Sequence, residues 1–212
     1  MEYWRNILQN TDPFEITIAV VSSLCVIAIF LAILINFLES KFANSGYNEK
    51  KNPVATESMT LFFVFYYLIL RHKVGFITLP RKVHIFLAIP GMIFLIISCT
   101  VNIMGRILLR KNWSNHIRIY QTHTFVNNGV YQIVRHPLYA SLIWMFYAGS
   151  IIYSNWMACL VTTLIFIPIM YFRAKQEEQM LITQFQEYVE YQSKTGMFFP
   201  RFIKRRKNLE NE

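Results

Sequence analysis

The sequence is poor in the residues that mark disulfide-rich, repetitive or nucleotide-loop folds. Its 212 residues include seven glycines, seven prolines and three cysteines, and 16% of them are charged. The cysteines (Cys25, Cys99 and Cys159) stand singly inside apolar stretches with no CxxC pair, so neither a disulfide framework nor a metal site is indicated. The glycines never form a GxGxxG pattern, and no repeat of 20 to 50 residues occurs, which argues against Rossmann and solenoid folds.

The chain is rich in apolar residues. Hydrophobic residues make up 54% of it, 18 of them are phenylalanine, and the mean hydropathy is +0.32. A soluble domain of this size could not bury that much apolar surface. The net charge of +9 comes from basic residues in short loops and at residues 204–207, as expected next to a membrane. We therefore predict contact with membrane lipid and no nucleic-acid partner.

Apolar runs predict the transmembrane organisation. Residues 16–38 lack charge over 23 positions, enough for a helix to cross a hydrocarbon core of roughly 30 Å. Further runs cover residues 59–70, 83–109, 137–153 and 156–172, and Ser154-Asn155 leaves room only for an antiparallel turn between the last two. Pro90-Gly91 is expected to kink or split the third run. We predict an all-α integral membrane protein with about five transmembrane helices.

The organisation predicts one membrane domain with two parts. Residues 1–110 supply the N-terminal helices, and residues 111–212 supply a C-terminal region with two further crossings and an amphipathic helix. The charges of the connector 106–136 and of the basic tail predict that this side is cytoplasmic. Arg71, Lys73, Arg81 and Lys82 fall on the opposite side in this scheme and depart from the positive-inside rule.

Two segments carry the candidate chemistry. Asn128-Gly129 is a turn signal, and Arg135-His136-Pro137 places a proline where a helix can begin, at a terminus that favours an anion. The alternative for this segment is a basic pair at a membrane interface. Further along, helical spacing puts Arg173 and Glu177 on one face, either as an ordinary ion pair or as functional charges at a membrane helix exit.

The ordered motifs resemble one enzyme family. His123-Thr-Phe-Val126, Asn128-Gly129-Val-Tyr131 and Arg135-His136-Pro137-Leu-Tyr139 precede a hydrophobic hairpin. After the hairpin come Arg173, Glu177-Glu178, Phe185, Tyr188, Tyr191 and Phe199-Pro200. This order, from about Trp113 to Pro200, is similar to the isoprenylcysteine carboxyl methyltransferases. Phospholipid methyltransferases share the Arg-His-Pro and Glu-Glu elements, so the resemblance indicates the cofactor more firmly than the substrate.

The resemblance implies that C-terminal loops enclose S-adenosylmethionine without a metal. It assigns substrate binding and the catalytic role to Arg173. Near the histidine motif, either His116 or Gln121 would supply a further cofactor contact. The residues implied to bind the cofactor are His123, Thr124, Phe125, Val126, Tyr131, Arg135, His136, Pro137, Leu138, Tyr139, Glu177 and Glu178.

Three functions remain open at this stage. The resemblance favours methylation of the carboxylate of an isoprenylcysteine-like or other lipophilic substrate, small or protein-bound, on the cytoplasmic side of the membrane. The alternative is a phospholipid N-methyltransferase. A third interpretation is a non-enzymatic membrane protein or a small transporter, although no internally similar halves are visible. The compact chain resembles prokaryotic members, which implies the cell inner membrane; a eukaryotic member would occupy the endoplasmic reticulum.

Overall fold

The computed structural model describes residues 12–43, 53–109 and 125–201. Within those ranges the chain forms six α-helices and no β-strand: α1 (Pro13–Ala43), α2 (Pro53–Arg71), α3 (Arg81–Leu109), α4 (Pro137–Ile152), α5 (Trp156–Gln184) and α6 (Glu187–Lys194). A short 3-10 helix, Gly129–Gln132, precedes α4. The predicted all-α class is confirmed, and each predicted apolar run lies in a helix.

The outer surface of the helices is apolar, as a lipid environment requires. Phe30, Leu61, Phe86, Leu164 and Phe172 expose between 63% and 75% of their surface. Three helices, α1, α3 and α5, are long and apolar enough to cross a membrane, whereas α2 and α4 contain shorter apolar stretches. Helices satisfy their backbone hydrogen bonds internally, which makes this surface compatible with lipid. The protein is therefore an integral membrane protein, and the count of five crossings stays a prediction.

The helices pack closely where small residues face a neighbour. A Cβ on Gly91 of α3 would lie 2.9 Å from the Ile152 side chain of α4, and one on Gly105 would lie 3.0 Å from Leu138. A Cβ on Gly149 of α4 would lie similarly close to the Tyr66 hydroxyl of α2. Small residues let membrane helices approach each other, and α4 consequently sits at the centre of the bundle.

An aromatic core fills the space between α2, α4 and α5. Phe62 stacks on Phe166 with ring centroids 4.6 Å apart, and Phe146 meets Phe166 edge-on at 4.7 Å. The Tyr66 hydroxyl donates to the Phe146 carbonyl over 2.7 Å, which satisfies its polar end inside this core. These contacts fix α5 against α2 below the segment that carries the charged residues.

Two of the long helices, α3 and α5, contain an internal proline. Pro90 lies inside α3, which continues as one helix from Arg81 to Leu109 and is not split. In α5 the helix widens to a π-helical turn over Thr162–Phe166, just before Pro168. A π-helical turn adds a residue and rotates the following side chains about the helix axis. After this turn, Met170, Arg173, Ala174 and Glu178 share the buried face.

The hairpin between α4 and α5 has the predicted tight turn. Ser154 adopts a positive φ of 47°, and the Asn155 side chain caps α5 by accepting from the Ala158 amide over 2.8 Å. The loop after α2 covers this turn, because the Trp156 amide donates to the Gly75 carbonyl over 3.1 Å. The two helices are therefore antiparallel, as the spacing predicts.

Apolar residues recur at helical spacing from Arg173 to Tyr191, but the helix is not continuous over this segment. The chain leaves helical geometry at Phe185, whose backbone is extended, and resumes as α6 at Glu187. The break turns the Phe185 ring onto Phe125, with centroids 5.9 Å apart. It also lets Tyr188 and Tyr191 of α6 pack on the edge of the same ring.

Candidate active site

The start of α4 forms the floor of the site. Pro137 occupies the first turn of α4, as the motif predicts, and His136 precedes it. The Asn-Gly signal corresponds to a 3-10 turn rather than a hairpin: Gly129 has a φ of +58°, and a Cβ there would lie 2.7 Å from Leu108. This turn buries Tyr131, whose hydroxyl donates to the Gly105 carbonyl over 3.4 Å.

The chain after α6 returns to the start of α4. The amide of Arg135 donates to the Gly196 carbonyl over 2.8 Å, and the amide of His136 donates to the Met197 carbonyl over 3.1 Å. A Cβ on Gly196 would collide with the Phe199 carbonyl oxygen, so the backbone at this position requires glycine. The predicted motif segments before α4 and after α5 are thereby held together.

Glu178 is the centre of a buried polar network. Its Oε1 accepts from Arg135 Nε over 2.7 Å and lies 3.3 Å from His136 Nε2. Its Oε2 accepts from Gln192 Nε2 over 2.9 Å. Arg135 also donates to the carbonyls of Gln192 and Thr195 at the end of α6. These contacts anchor α6 against α4 and α5, since a buried carboxylate requires such donors.

His136 lies between the two predicted glutamates. Its Nδ1 is 3.6 Å from Glu177 Oε2 and its Nε2 is 3.3 Å from Glu178 Oε1. The ring is 5% exposed and stacks on Tyr139 with a centroid distance of 5.6 Å. The two carboxylates differ, because the Glu178 side chain is 2% exposed whereas that of Glu177 is 38% exposed. Glu177 therefore presents a carboxylate toward the open side of the site.

Tyr139 connects Glu177 to Arg173. Its hydroxyl donates to Glu177 Oε2 over 3.1 Å, and its ring lies beside the Arg173 side chain. The Arg173 guanidinium lies 5.9 Å from the centroid of the Tyr139 ring, and its Nη1 contacts Met59 Sδ of α2 at 3.2 Å. The buried Arg173 is thus oriented toward α2.

Aromatic side chains form the opposite wall. Phe125 meets Tyr191 edge-on at 5.2 Å, and the Tyr191 hydroxyl donates to the Tyr131 carbonyl. Burial raises the pKa of Tyr131 well above its usual value, and burial likewise raises the pKa of Tyr188 and Tyr191. These phenols are therefore neutral at physiological pH and act as hydrogen-bond donors or apolar surfaces.

Two polar residues of α3 also reach this region and were not among the predicted site residues. Arg106 is 6% exposed, and its Nε donates to Asn102 Oδ1 over 2.9 Å. Asn102 in turn donates to Ser141 Oγ over 2.8 Å, in the first turns of α4. The available signal was the spacing of Asn102 and Arg106, four residues apart in an otherwise apolar helix. By sequence alone, Arg106 is one of several basic residues that flank a membrane helix.

The structure places most of the predicted site residues around one region. Tyr131, Arg135, His136, Tyr139, Arg173, Glu177 and Glu178 are joined by the contacts above, while Pro137 and Leu138 start α4 and Phe125 and Val126 precede it. His123, Thr124, His116 and Gln121 lie outside the described residues. Their roles as cofactor or substrate ligands stay predictions. Within the described ranges, no group of three His, Cys, Asp or Glu side chains is arranged to hold a metal ion.

Comparison with known proteins identifies the region that holds the site. The sequence model of the isoprenylcysteine carboxyl methyltransferase family matches residues 90–183. This part of the chain is therefore similar to that family. The match begins inside α3 and includes the start of α4 and the charged part of α5, so it contains the residues from Arg135 to Glu178 that meet in space.

A solved structure shows the family's membrane fold in a larger protein. It is the eukaryotic intramembrane Ras methyltransferase known as isoprenylcysteine carboxyl methyltransferase, at 19% sequence identity and a TM-score of 0.53. The similarity covers 79% of this chain and 62% of that one. The chain thus spans about three fifths of the length of this solved structure. No curated protein matches the chain by sequence.

The side chains around Tyr139 fit the chemical groups of S-adenosylmethionine. Glu177 offers a partly exposed carboxylate that could accept from an ammonium or from ribose hydroxyls. Phe125 and Tyr191 offer aromatic surfaces of the kind that nucleobases stack on. The Tyr139 hydroxyl lies between an acidic and a basic side chain, which suits a site for a molecule that carries both charges.

Proposed function

We propose that the protein is an S-adenosylmethionine-dependent methyltransferase that methylates the carboxylate of an isoprenylcysteine-like or other lipophilic acid. The observation that supports this proposal is the position of Arg173, which is buried beside Tyr139 and contacts Met59 of α2. A guanidinium in this position can receive an acid whose apolar portion remains among the helices. The family match and the similar fold support the same reaction class.

The cofactor would lie on the side of Tyr139 opposite to α2. Glu177 accepts from the Tyr139 hydroxyl, His136 stacks on the Tyr139 ring, and Phe125 and Tyr191 offer an aromatic surface, and these groups would contact the cofactor. S-adenosylmethionine supplies an electrophilic methyl group on its sulfonium. The residues of this chain would hold both reactants in line, because alignment of donor and acceptor is the main requirement for such a displacement.

Arg173 would orient the substrate carboxylate with two parallel hydrogen bonds. A carboxylate is ionised at neutral pH, so the reaction requires no general base. The carboxylate oxygen forms a bond to the methyl carbon while the carbon–sulfur bond breaks, and the products are a methyl ester and S-adenosylhomocysteine. Tyr139, which lies beside both Arg173 and Glu177, would fix the distance between the substrate group and the cofactor group.

The phospholipid N-methyltransferase alternative predicts a different acceptor. An amine must lose a proton before it attacks, and a nearby guanidinium would repel its cationic form, so Arg173 favours an acid. Purified protein would be incubated with methyl-labelled S-adenosylmethionine and either a prenylcysteine or phosphatidylethanolamine. A base-labile product from the prenylcysteine supports the ester, whereas a base-stable product from the phospholipid would contradict the proposal.

The transporter interpretation is tested by binding alone. Titration calorimetry of the folded protein in detergent with S-adenosylhomocysteine should give saturable binding to one site. Absence of binding in protein with an intact unfolding transition would contradict the methyltransferase proposal. We also propose that the site faces the cytoplasm, where the cofactor is made. Labelling of single-cysteine variants near Glu187 and near Gly75 in sealed vesicles should give opposite accessibilities if this orientation is correct.

A further inference from the structure

A second buried arginine lies at the site, at the end of α3. Arg106 lies in the last turn of the mostly apolar helix α3, and it is 6% exposed. A charged side chain buried at such a position is costly, and in membrane proteins it commonly marks a ligand pathway or binding site. Gly105, the residue before it, packs against Pro137 and Leu138, so Arg106 lies next to the start of α4.

Neighbouring polar groups hold Arg106 in one orientation. Its Nε donates to Asn102 Oδ1 over 2.9 Å, and the Asn102 amide donates to Ser141 Oγ over 2.8 Å and to the Leu138 carbonyl over 3.3 Å. Asn102 and Ser141 are fully buried. Because Asn102 uses both ends of its amide, it ties the guanidinium to the first turn of α4. A guanidinium held in this way loses little further entropy when it binds an anion.

The two arginines have different neighbours. Tyr131, in the turn implied to hold the cofactor, donates its hydroxyl to the carbonyl of Gly105, the residue before Arg106, over 3.4 Å. Arg173 instead contacts Met59 of α2. The proposed reaction brings two carboxylates to this site, one on the methyl acceptor and one on the methionine half of the cofactor.

We propose that Arg106 binds the carboxylate of the methionine half of S-adenosylmethionine, while Arg173 binds the carboxylate of the acceptor. This assignment rests on the proposed function and adds a binding residue to it. With one arginine for each carboxylate, the site would also distinguish the cofactor carboxylate from the acceptor carboxylate. Each guanidinium has different neighbours, which are Asn102 for Arg106, and Tyr139 and Met59 for Arg173.

The test compares two ligands that differ only in this carboxylate. Calorimetry on the full chain in detergent would use S-adenosylhomocysteine and its decarboxylated form, S-adenosyl-3-thiopropylamine. The unaltered protein should prefer the acid by about 10- to 100-fold, the loss expected when charge-assisted hydrogen bonds to a carboxylate are removed. Arg106→Gln should abolish this preference and leave the affinity for the decarboxylated ligand nearly unchanged.

Two other arginine variants serve as controls. Arg81→Gln changes an exposed arginine at the opposite end of the same helix and should keep the full preference. Arg173→Gln should also keep the full preference for the acid ligand, although it should no longer methylate the acceptor. Arg106→Lys retains the charge without the planar fork and should show an intermediate preference. If Arg106→Gln does not fold, the Arg106→Lys result and the preference of the unaltered protein decide the question.

Several outcomes would overturn the assignment. These are an unaltered protein that binds both ligands equally, an Arg106 variant that keeps the full preference, or an Arg173 variant that abolishes it. Each of these leaves the proposed methyltransferase function intact, because S-adenosylhomocysteine still binds. Failure of the unaltered, folded protein to bind either ligand would instead contradict the proposed function.

Discussion

The Tyr139 hydroxyl donates a hydrogen bond to Glu177 Oε2 over 3.1 Å, although 38 residues separate the two in the chain. This bond joins the start of α4 to the C-terminal part of α5, on the side that we propose faces the cytoplasm. Tyr139 also lies beside a positive charge, because the Arg173 guanidinium is 5.9 Å from the centroid of its ring. The relationship makes Tyr139 a positioning residue between the groups to which we assign cofactor and acceptor.

Tyr139→Phe should lower kcat/KM by about tenfold or more, the value expected for loss of a hydrogen bond to charged groups. The ring remains beside Arg173, so the unfolding temperature should change little. We expect the effect mainly in kcat, because both ligands still bind while their alignment is lost. Tyr67→Phe on α2, where the side chain is 60% exposed, is the matched control and should leave both kinetic constants unchanged. Equal loss in the two variants would contradict the positioning role.

Arg173→Ala should abolish turnover or strongly raise the KM for the acceptor, because it removes the proposed partner of the acceptor carboxylate. The affinity for S-adenosylhomocysteine, measured by calorimetry, should stay nearly unchanged. Arg81→Ala, at the exposed start of α3, controls for the loss of an arginine. A variant at position 173 that turns over normally would show that this arginine does not bind the substrate.

Glu177→Ala should have the converse effect. It removes the partly exposed carboxylate that we assign to the cofactor, so calorimetry should show weaker binding of S-adenosylhomocysteine by about tenfold or more. Glu190→Ala changes an exposed glutamate of α6 and should leave the affinity unaltered. Unchanged cofactor affinity in the Glu177 variant, with the protein still folded, would disprove this assignment.

The membrane helices could be predicted from sequence because their signal is local. A run of uncharged residues is enough to indicate a spanning segment, and Ser154-Asn155 is enough to indicate a hairpin. The ordered motifs also indicated that Arg135-His136-Pro137 and Arg173-Glu177-Glu178 act together. Their contacts, with His136 between the two glutamates, confirm that these segments meet in space.

Other features depend on tertiary contacts that no local pattern reports. The break at Phe185 arises because its ring stacks on Phe125, sixty residues earlier, whereas the helical periodicity of the segment continues unbroken. The burial of Arg106 depends on Asn102 and Ser141, which belong to different helices. A positive charge at the end of a membrane helix has the same sequence signature whether it faces lipid head groups or a binding site.

Glu178→Gln should destabilise the fold by about 3 to 5 kcal/mol, because it leaves Arg135 buried without its carboxylate partner. Arg135 also holds the carbonyls at the end of α6, so the loss should extend to that helix. Glu190→Gln removes an exposed ion pair with Lys194 in α6 and should not change the unfolding temperature measurably. Thermal unfolding of both variants in detergent tests the contrast. Similar unfolding temperatures would show that the Glu178 network does not hold α6 in place.

Tyr188→Phe should preserve stability at neutral pH and reduce its loss in alkaline solution. The Tyr188 side chain is 2% exposed, and within the described residues its hydroxyl has no hydrogen-bond partner, so its removal leaves no polar group unsatisfied. Burial raises the pKa of Tyr188 above that of an unfolded tyrosine, about 10. The folded state therefore binds the phenolic proton more tightly, and stability falls as the pH rises past the unfolded pKa.

Chemical unfolding at pH 7 and near pH 11 should show a smaller difference in the free energy of unfolding for the Tyr188→Phe variant than for the unaltered protein. The reduction is partial, because burial raises the pKa of Tyr191 as well. The exposed Tyr67→Phe variant should keep the full alkaline loss, and a Tyr188 variant that behaves like it would contradict the explanation.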